Sequence, residues 1–249
     1  DVSHLVISAG AAAGIPTIGL CTLSWDLVLA PFVDPADPAH AAIMKQIRDA
    51  YAKADCFLRV APGLAVTAFR HLRDVGPIAE PTEPQPAALR QAIGATASEK
   101  IILVGFGGIA LQSPPFDHME AMQGFRFLFD GPVPSRLSRI SSLSSVGLPF
   151  KQILASVDLV LTKPGYGTTV ESVALGLPVV YVRRYNFADE QSLVDYLQQH
   201  GRSAELSLDA FSRGHWEPAI RQAFAQSPAT PPPPLSGARD AASILHTYF

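Results

Sequence analysis

Residues 157–191, VDLVLTKPGYGTTVESVALGLPVVYVRRYNFADEQ, contain the pattern that decides the fold. The apolar runs at residues 157–161 and 179–182 predict two buried strands. Between them, a glycine-rich turn leads into a helix that we expect to open at Thr168 and to close at Gly176 and Pro178. A strand, a helix and a strand in this order predict two parallel strands joined by a right-handed crossover.

The turn before this helix carries residues suited to binding an anion. Gly165 and Gly167 allow close approach of a ligand to the backbone. Thr168 and Thr169 place hydroxyl groups at a helix start, where unpaired N–H groups and the helix dipole favour a phosphate. We expect Glu171 in the first helical turn, where it can bind the ribose of a nucleotide. The same Thr-Thr-x-Glu pattern is also typical of a capping box that needs no ligand, and the local pattern leaves both interpretations open.

The stretch from Lys163 to Glu171, followed by Gly176-Leu-Pro178 and by Asp189-Glu190-Gln191, resembles the nucleotide-sugar signature of GT-B glycosyltransferases. The resemblance implies an α/β, GT-B-like fold with two Rossmann-like doubly wound domains. It also implies metal-independent transfer of a sugar from a nucleoside diphosphate (NDP) sugar, with UDP as the expected nucleotide, to an unknown acceptor. One departure from the signature is Lys163, since many members have histidine at that position, although a cation can still serve the phosphates.

The same resemblance assigns roles to individual residues. It places the diphosphate at the turn around Gly165, the ribose at Glu171 and the sugar hydroxyls at the Asp189 segment. It places the nucleobase at backbone groups near Val146. The residues expected to bind the donor are Gly107, Gly108, Val146, Gly147, Lys163, Gly165, Tyr166, Gly167, Thr168, Thr169, Glu171, Asp189, Glu190 and Gln191.

A second resemblance is to the transferase-like amino-terminal half of plant arabinokinases, which have a Lys-x-Gly-Tyr-Gly-Thr turn and a following Arg-Arg pair. In arabinokinases that module is fused to a sugar kinase. The alternative hypothesis is therefore that this chain is a non-catalytic module that binds a nucleotide sugar or a sugar. A hydrolase or epimerase of NDP-sugars is a third hypothesis, for which His118 is a candidate imidazole. Arg183 and Arg184 either neutralise phosphate or form ion pairs with Asp189 and Glu190.

The catalytic base is not identified by the sequence. Trp25 and Asp26 follow a predicted strand at residues 17–21, at the edge of the sheet where ligands bind in open α/β folds. Asp26 is therefore a weak candidate for the base, and the alternative is that Trp25 belongs to the core and Asp26 caps the next helix. In relatives the base, often a histidine, lies early in the first domain, and we expect it in a part that this chain lacks.

Composition limits the classes of function. The chain has 249 residues, 48% hydrophobic residues and a formal net charge of −3, which favours a well-packed α/β protein and gives no basic footprint for nucleic acid. The sequence predicts no membrane span and, with two cysteines, no disulfide framework, so we expect a cytoplasmic protein. It has no Asp-x-Asp pair and no metal-type Cys/His spacing, and we expect neither a metal nor a cofactor.

The proline-rich segment at residues 76–86 predicts a linker between two domains. We expect a partial amino-terminal, acceptor-side domain at residues 1–80, the linker and a short helix at 81–96, and a nucleotide-sugar-binding domain at 97–227. Residues 228–249 then form a proline-rich spacer and a last helix that packs back on the first domain. The chain opens in the middle of a strand–helix unit, and this predicts a first domain truncated at its amino terminus.

Overall fold

The structure, a computed structural model, describes residues 2–107, 114–185 and 187–248. The chain forms two compact units. The first consists of Asp1–Ile78, Asn186–Leu193 and Pro233–Phe249, and the second of Ala79–Tyr185 and Val194–Pro232. The division after Ile78 falls within residues 76–85, which contain neither helix nor strand.

The first unit is built on a short parallel sheet. Its elements are α1 (His4–Ala12), β1 (Ile18–Cys21), α2 (Trp25–Leu29), a 3-10 turn (Ala30–Phe32), α3 (Pro38–Tyr51), β2 (Cys56–Val60), β3 (Leu72–Val75) and α11 (Gly237–Leu245). The strands lie in the order β1-β2-β3 and both pairings are parallel.

Helix α3 shows how the sequence sets a local boundary in this unit. Asp37 caps the helix, since its Oδ1 accepts a hydrogen bond of 2.8 Å from Ala39 N, and Pro38 occupies the first helical position. The helix buries Met44, Ile47, Ala50 and Tyr51 on one face. The Tyr51 ring stacks on Phe69 with ring centroids 4.6 Å apart, which ties the helix to the core of the unit.

The second unit contains a six-stranded sheet in the order β6-β5-β4-β7-β8-β9, with every pairing parallel. Its elements are α4 (Pro86–Ile93), β4 (Lys100–Val104), α5 (Phe116–Ala121), β5 (Phe125–Phe129), β6 (Ile140–Ser142), a 3-10 turn (Leu143–Ser145), α6 (Phe150–Ser156), β7 (Leu159–Thr162), α7 (Tyr166–Ala174), β8 (Val179–Tyr181), β9 (Ser203–Glu205), α9 (Leu208–Ser212) and α10 (Glu217–Ala225). Helix α8 (Glu190–His200) begins in the residues of the first unit and continues into those of the second.

The central strands of the second unit are buried on both faces. Ile101 to Val104 in β4 and all four residues of β7 are buried, which is typical of a parallel sheet covered by helices on both sides. The core on one face is closed by Trp216, which is fully buried against Phe127 and Phe211.

The α/β class and the parallel sheets that the sequence predicts are confirmed, as is the parallel pairing of β7 and β8. Two further sequence patterns differ in detail from the structure. The apolar run at residues 100–106 predicts one buried strand, but β4 ends at Val104. Residues 22–26 are typical of an irregular turn, but only residues 22–24 lack a regular element and α2 begins at Trp25. Within the part of the chain that the structure describes, none of the helices has the length and apolar character that crossing a bilayer requires.

Candidate functional site

The candidate site lies where the strand order of the second unit reverses. The chain passes from β4 outward to β5 and β6 and then returns to place β7 on the other side of β4. The carboxyl ends of β4 and β7 are therefore neighbours, and they lead into Gly105–Gly107 and Lys163–Gly165 respectively. In open parallel sheets, ligands bind in the crevice at such a reversal.

Helix α7 starts directly at this crevice. Its first residue is Tyr166, and the capping residue is Gly165, which has no side chain to satisfy the amides. The first bond of the helix runs from Thr169 N to Gly165 O at 2.9 Å. Among the described residues, the N–H groups of Gly167 and Thr168 have no acceptor. These two amides and the positive end of the helix dipole form an anion cup, the name used below for the backbone from Gly165 to Thr168.

The start of α7 corrects two expectations. The helix begins at Tyr166 and not at Thr168, so Glu171 is its sixth residue and lies beyond the first turn. The capping-box interpretation is therefore wrong, because the residue that caps the helix is Gly165. Pro164 and Gly165 belong to the turn, whereas Gly167 is the second residue of the helix, so the pair of glycines does not mark where the helix starts.

Lys163 lies at the mouth of the anion cup. Its Nζ is 3.5 Å from the position that a Cβ on Gly165 would occupy and 3.6 Å from that position on Gly107. Gly107 has φ of +56°, a conformation that favours glycine. The ammonium therefore lies beside the turns that follow both β4 and β7, so the structure brings Gly107, Lys163 and Gly165 together. Gly108 lies outside the described residues.

Arg184 also contacts the turn, since its Nη2 donates a hydrogen bond of 3.3 Å to the carbonyl of Pro164. The guanidinium of Arg183 lies over the Tyr185 ring, 4.6 Å from its centroid. Two cationic side chains, Lys163 and Arg184, thus lie beside the turn that leads into α7. The electrostatic character of the site suits a ligand with negative charge.

Glu171 lies further along α7 and is 13% exposed. Its Oε1 is 3.4 Å from Nζ of Lys151, which the sequence did not single out. Thr169 and Ser172 are buried, and their hydroxyl groups have no hydrogen-bond partner within the described residues. Of the two threonines predicted to bind phosphate, only Thr168 is partly exposed.

Val146 and Gly147 follow a 3-10 turn and do not belong to a strand. The nearby strand is β6, which ends at Ser142. Val146 is 9% exposed, and Gly147 has φ of +72° in an exposed turn. These residues lead into α6, which carries Lys151.

Other predicted residues lie in the first unit. Asp189 and Glu190, at the start of α8, are buried, and Gln191 is exposed. Asp26 is 1% exposed and accepts hydrogen bonds from Ser24 Oγ at 2.6 Å and Arg48 Nε at 3.3 Å. Because the Asp26 carboxylate is buried and bonded to these two side chains, it does not suit the role of catalytic base.

The structure also bears on the core position expected for Trp25 and on His118, the candidate imidazole of an epimerase. Trp25 is 39% exposed, so the expectation that it belongs to the core was wrong, and the capping residue of α2 is Ser24, not Asp26. His118 lies on α5 and its ring packs closely against Gly214 in the loop before α10. The His118 imidazole, the candidate group for an epimerase, thus packs against that loop.

The chain is similar to known proteins in sequence and in fold. No family model matches the chain. The sequence is 26% identical over 234 residues to L-arabinokinase from Arabidopsis thaliana, covering 92% of this chain and 22% of that protein. The chain thus spans about a fifth of the curated relative that it matches.

Solved structures establish the fold. The glycotransferase of kitacinnamycin superposes with a TM-score of 0.64 at 16% identity, covering 99% of this chain and 74% of that one. Phytolacca americana UGT2, complexed with UDP-2fluoro-glucose and pterostilbene, gives a TM-score of 0.57 at 16% identity, covering 89% and 66%. The chain has the GT-B fold, as the sequence motif predicts, and its sequence is similar to an arabinokinase.

The open space in front of the anion cup leads to a first prediction. A Cβ on Gly167 would meet nothing within 4 Å, and its φ is not left-handed. Gly167→Ala is therefore expected to raise the free energy of unfolding by about 0.4–1 kcal/mol by restricting the unfolded chain. The added methyl group points toward the start of the helix, in front of the free amides, and should weaken binding of a nucleoside diphosphate severalfold.

The matched control is Gly94→Ala, which also meets nothing within 4 Å but has φ of +63°. This variant should lower stability, by about 1 kcal/mol, and leave nucleotide binding unchanged. Urea denaturation and calorimetric titration measure the two quantities. A Gly167→Ala variant with unchanged affinity would show that no ligand approaches the cup.

Proposed function

We propose that the second unit binds the donor of a glycosyl transfer, an NDP-sugar, with the diphosphate at the anion cup. The observation that carries the proposal is the meeting of uncapped α7 amides, the Lys163 ammonium and Gly107 at the strand-order reversal. The GT-B fold supports it, since it is the fold of glycosyltransferases that use NDP-sugars.

The charges in the site suit the chemistry of the leaving group. Cleavage of the sugar–phosphate bond leaves negative charge on the departing diphosphate. The amides of Gly167 and Thr168 and the Lys163 ammonium are fixed before the reaction, so they stabilise that charge without reorganisation. The proposal gives these groups the role of binding the donor and assisting departure of the diphosphate.

Two further donor contacts are proposed. Glu171 accepts hydrogen bonds from the ribose hydroxyls through the 13% of its side chain that is exposed beside Lys151. The assignment of Asp189, Glu190 and Gln191 to the sugar hydroxyls remains a prediction from the motif. UDP is the first nucleotide to test, because Phytolacca americana UGT2 is complexed with a UDP-sugar.

The test is binding of nucleoside diphosphates to the full chain and to Glu171→Ala. In the wild-type chain, a saturating nucleotide should raise the melting temperature, since a ligand that binds only the folded state stabilises it. Glu171→Ala removes charge-assisted hydrogen bonds worth about 1.5–3 kcal/mol each and should weaken binding about ten- to a hundredfold, which abolishes the shift at moderate concentration.

Glu217→Ala is the matched control, because Glu217 is a half-exposed glutamate whose ion pair with Arg221 lies within α10. It should leave the ligand-induced shift unchanged. If the wild-type chain binds no nucleoside diphosphate, the donor-site proposal is wrong. If Glu171→Ala binds as well as the wild type, the ribose assignment is wrong.

A second candidate function is binding of a nucleotide sugar without transfer. The burial of Asp26 favours it, because Asp26 is the candidate for the catalytic base that the sequence offers. Incubation of the full chain with a radiolabelled NDP-sugar, with release of free sugar also measured, separates the two. Clear binding with neither transfer nor hydrolysis supports the binding module, and turnover supports the transferase.

A further inference from the structure

A cavity of about 440 Å³ opens in the first unit between α3 and the chain that follows α2. Its apolar lining comes from Ala30, Val33 and Pro35 on that chain and from Ala41 and Met44 on α3. The volume and the apolar lining are typical of a small-molecule site, in which a few polar groups fix the orientation of the ligand. Neither the sequence motif nor the anion cup accounts for this cavity, since all of its lining residues belong to the first unit.

His40 supplies one polar group of the cavity lining. Its Nδ1 accepts a hydrogen bond of 3.1 Å from the backbone N–H of Asp34. A ring nitrogen that accepts carries a lone pair, so the neutral imidazole has its hydrogen on Nε2. Within the part of the chain that the structure describes, Nε2 has no hydrogen-bond partner. The ring therefore offers a donor to a ligand and no acceptor.

Arg48 supplies a second group, about 12 Å further along α3 at 1.5 Å per residue. Its Nε donates a hydrogen bond of 3.3 Å to Oδ2 of the buried Asp26, which fixes one edge of the guanidinium. The Nη1 and Nη2 groups have no partner among the described residues, and the side chain is 54% exposed. A guanidinium can only donate. His40 and Arg48 thus both require an acceptor on the ligand.

The charges around the cavity do not favour a charged ligand. Lys45 is paired with Asp49, and Arg48 is paired with Asp26. The carboxylate of Asp34, which also lines the cavity, leaves an excess of negative charge. This excess repels a carboxylate or a phosphate on the ligand. An ammonium group would instead bring N–H donors against the donors of the two residues described above.

We propose that this cavity binds a small uncharged molecule with an apolar body and a carbonyl oxygen, that is, a ketone or an ester. The carbonyl oxygen accepts hydrogen bonds from the Nη groups of Arg48, and a charged donor makes these bonds stronger than neutral ones. The apolar body packs against Val33 and Met44. The proposal does not depend on the proposed function, because the anion cup belongs to the second unit.

The test is a nuclear magnetic resonance titration of the full chain with benzylacetone, with hydrocinnamate and with the amine that replaces the ketone of benzylacetone. The three probes share a phenylethyl body and differ in the polar group. We expect benzylacetone to bind with a Kd on the order of 1 mM and to shift amide resonances of α3. The other two probes should bind at least about fivefold more weakly. Equal or tighter binding of either charged probe overturns the uncharged class, and the absence of shifts with all three overturns the site.

Ala41→Phe tests whether the probe occupies this cavity. Ala41 is exposed on α3 and lines the cavity, so the larger side chain should fill the cavity without disturbing the core and should abolish the shifts. Ala42→Phe is the matched control, since Ala42 is also exposed but lines the groove between α1 and α3. It should bind benzylacetone as the wild type does. Wild-type affinity in Ala41→Phe, or the same loss in both variants, contradicts the proposal.

Arg48→Lys tests the polar contact by itself. The variant keeps a cation beside Asp26 but loses the two terminal groups of the guanidinium. Its affinity for benzylacetone should fall about three- to tenfold, as expected for the loss of a hydrogen bond. Circular dichroism checks that the variant is folded. An unchanged affinity in the folded variant shows that the guanidinium does not contact the ligand and overturns the assignment.

Discussion

Lys163→Glu is expected to weaken binding of a nucleoside diphosphate about a thousandfold. The ammonium lies between Gly107 and Gly165 at the mouth of the anion cup. The substitution removes a charge-assisted interaction worth about 1.5–3 kcal/mol and adds a repulsion of similar size, so about 4 kcal/mol of binding free energy should be lost. Loss of about 4 kcal/mol of binding free energy corresponds to a factor of about a thousand.

Two further variants make this result specific. Lys163→Met removes the charge but keeps the length of the side chain, and should cause an intermediate loss of about ten- to a hundredfold. Lys53→Glu changes the net charge equally at an exposed lysine of the first unit, which contacts Ser8, and should have no measurable effect. Titration calorimetry at fixed ionic strength gives the affinities. Wild-type affinity in Lys163→Glu would exclude the cup as the diphosphate site.

Trp216→Ala is expected to lower the free energy of unfolding of the second unit by about 3–5 kcal/mol. Trp216 is fully buried, its ring stacks on Phe211 with centroids 5.1 Å apart, and its Nε1 donates a 2.8 Å hydrogen bond to the Phe211 carbonyl. Truncation leaves a large cavity beneath β5 and removes one of the two hydrogen bonds to the Phe211 carbonyl, which also accepts from Gly214 N at 3.1 Å. The melting temperature should fall by about 6–20 °C, at 2–4 °C per kcal/mol.

The chain contains one other tryptophan, and it serves as the control. Trp25 is 39% exposed, so Trp25→Ala should cost much less, on the order of 1 kcal/mol. Far-ultraviolet circular dichroism follows both unfolding curves without relying on tryptophan fluorescence. Similar costs for the two variants would mean that the core around Phe127 and Phe211 does not depend on Trp216.

Much of the fold of the second unit could be predicted because its central strands are uninterrupted apolar runs. The strands at 100–104 and 159–162 and the helix between β7 and β8 follow from burial and helical periodicity. Strand β3 and helix α9 were missed, since Leu72–Val75 contains two exposed charged residues and Leu208–Ser212 is a single short helix. Their structure depends on neighbouring elements more than on local sequence.

The anion cup could be predicted because glycines, a lysine and a helix start follow one another along the chain. The position of Lys151 could not, because a different element, α6, brings it to Glu171.

The most direct test of the anion cup is the response of backbone amides in a nuclear magnetic resonance titration of the full chain with GDP and UDP. The account predicts that the amide protons of Gly167 and Thr168 shift downfield and saturate at the affinity found by calorimetry, since these N–H groups gain charged acceptors. If a nucleotide binds while these two resonances stay in place, the diphosphate lies elsewhere and the account is contradicted.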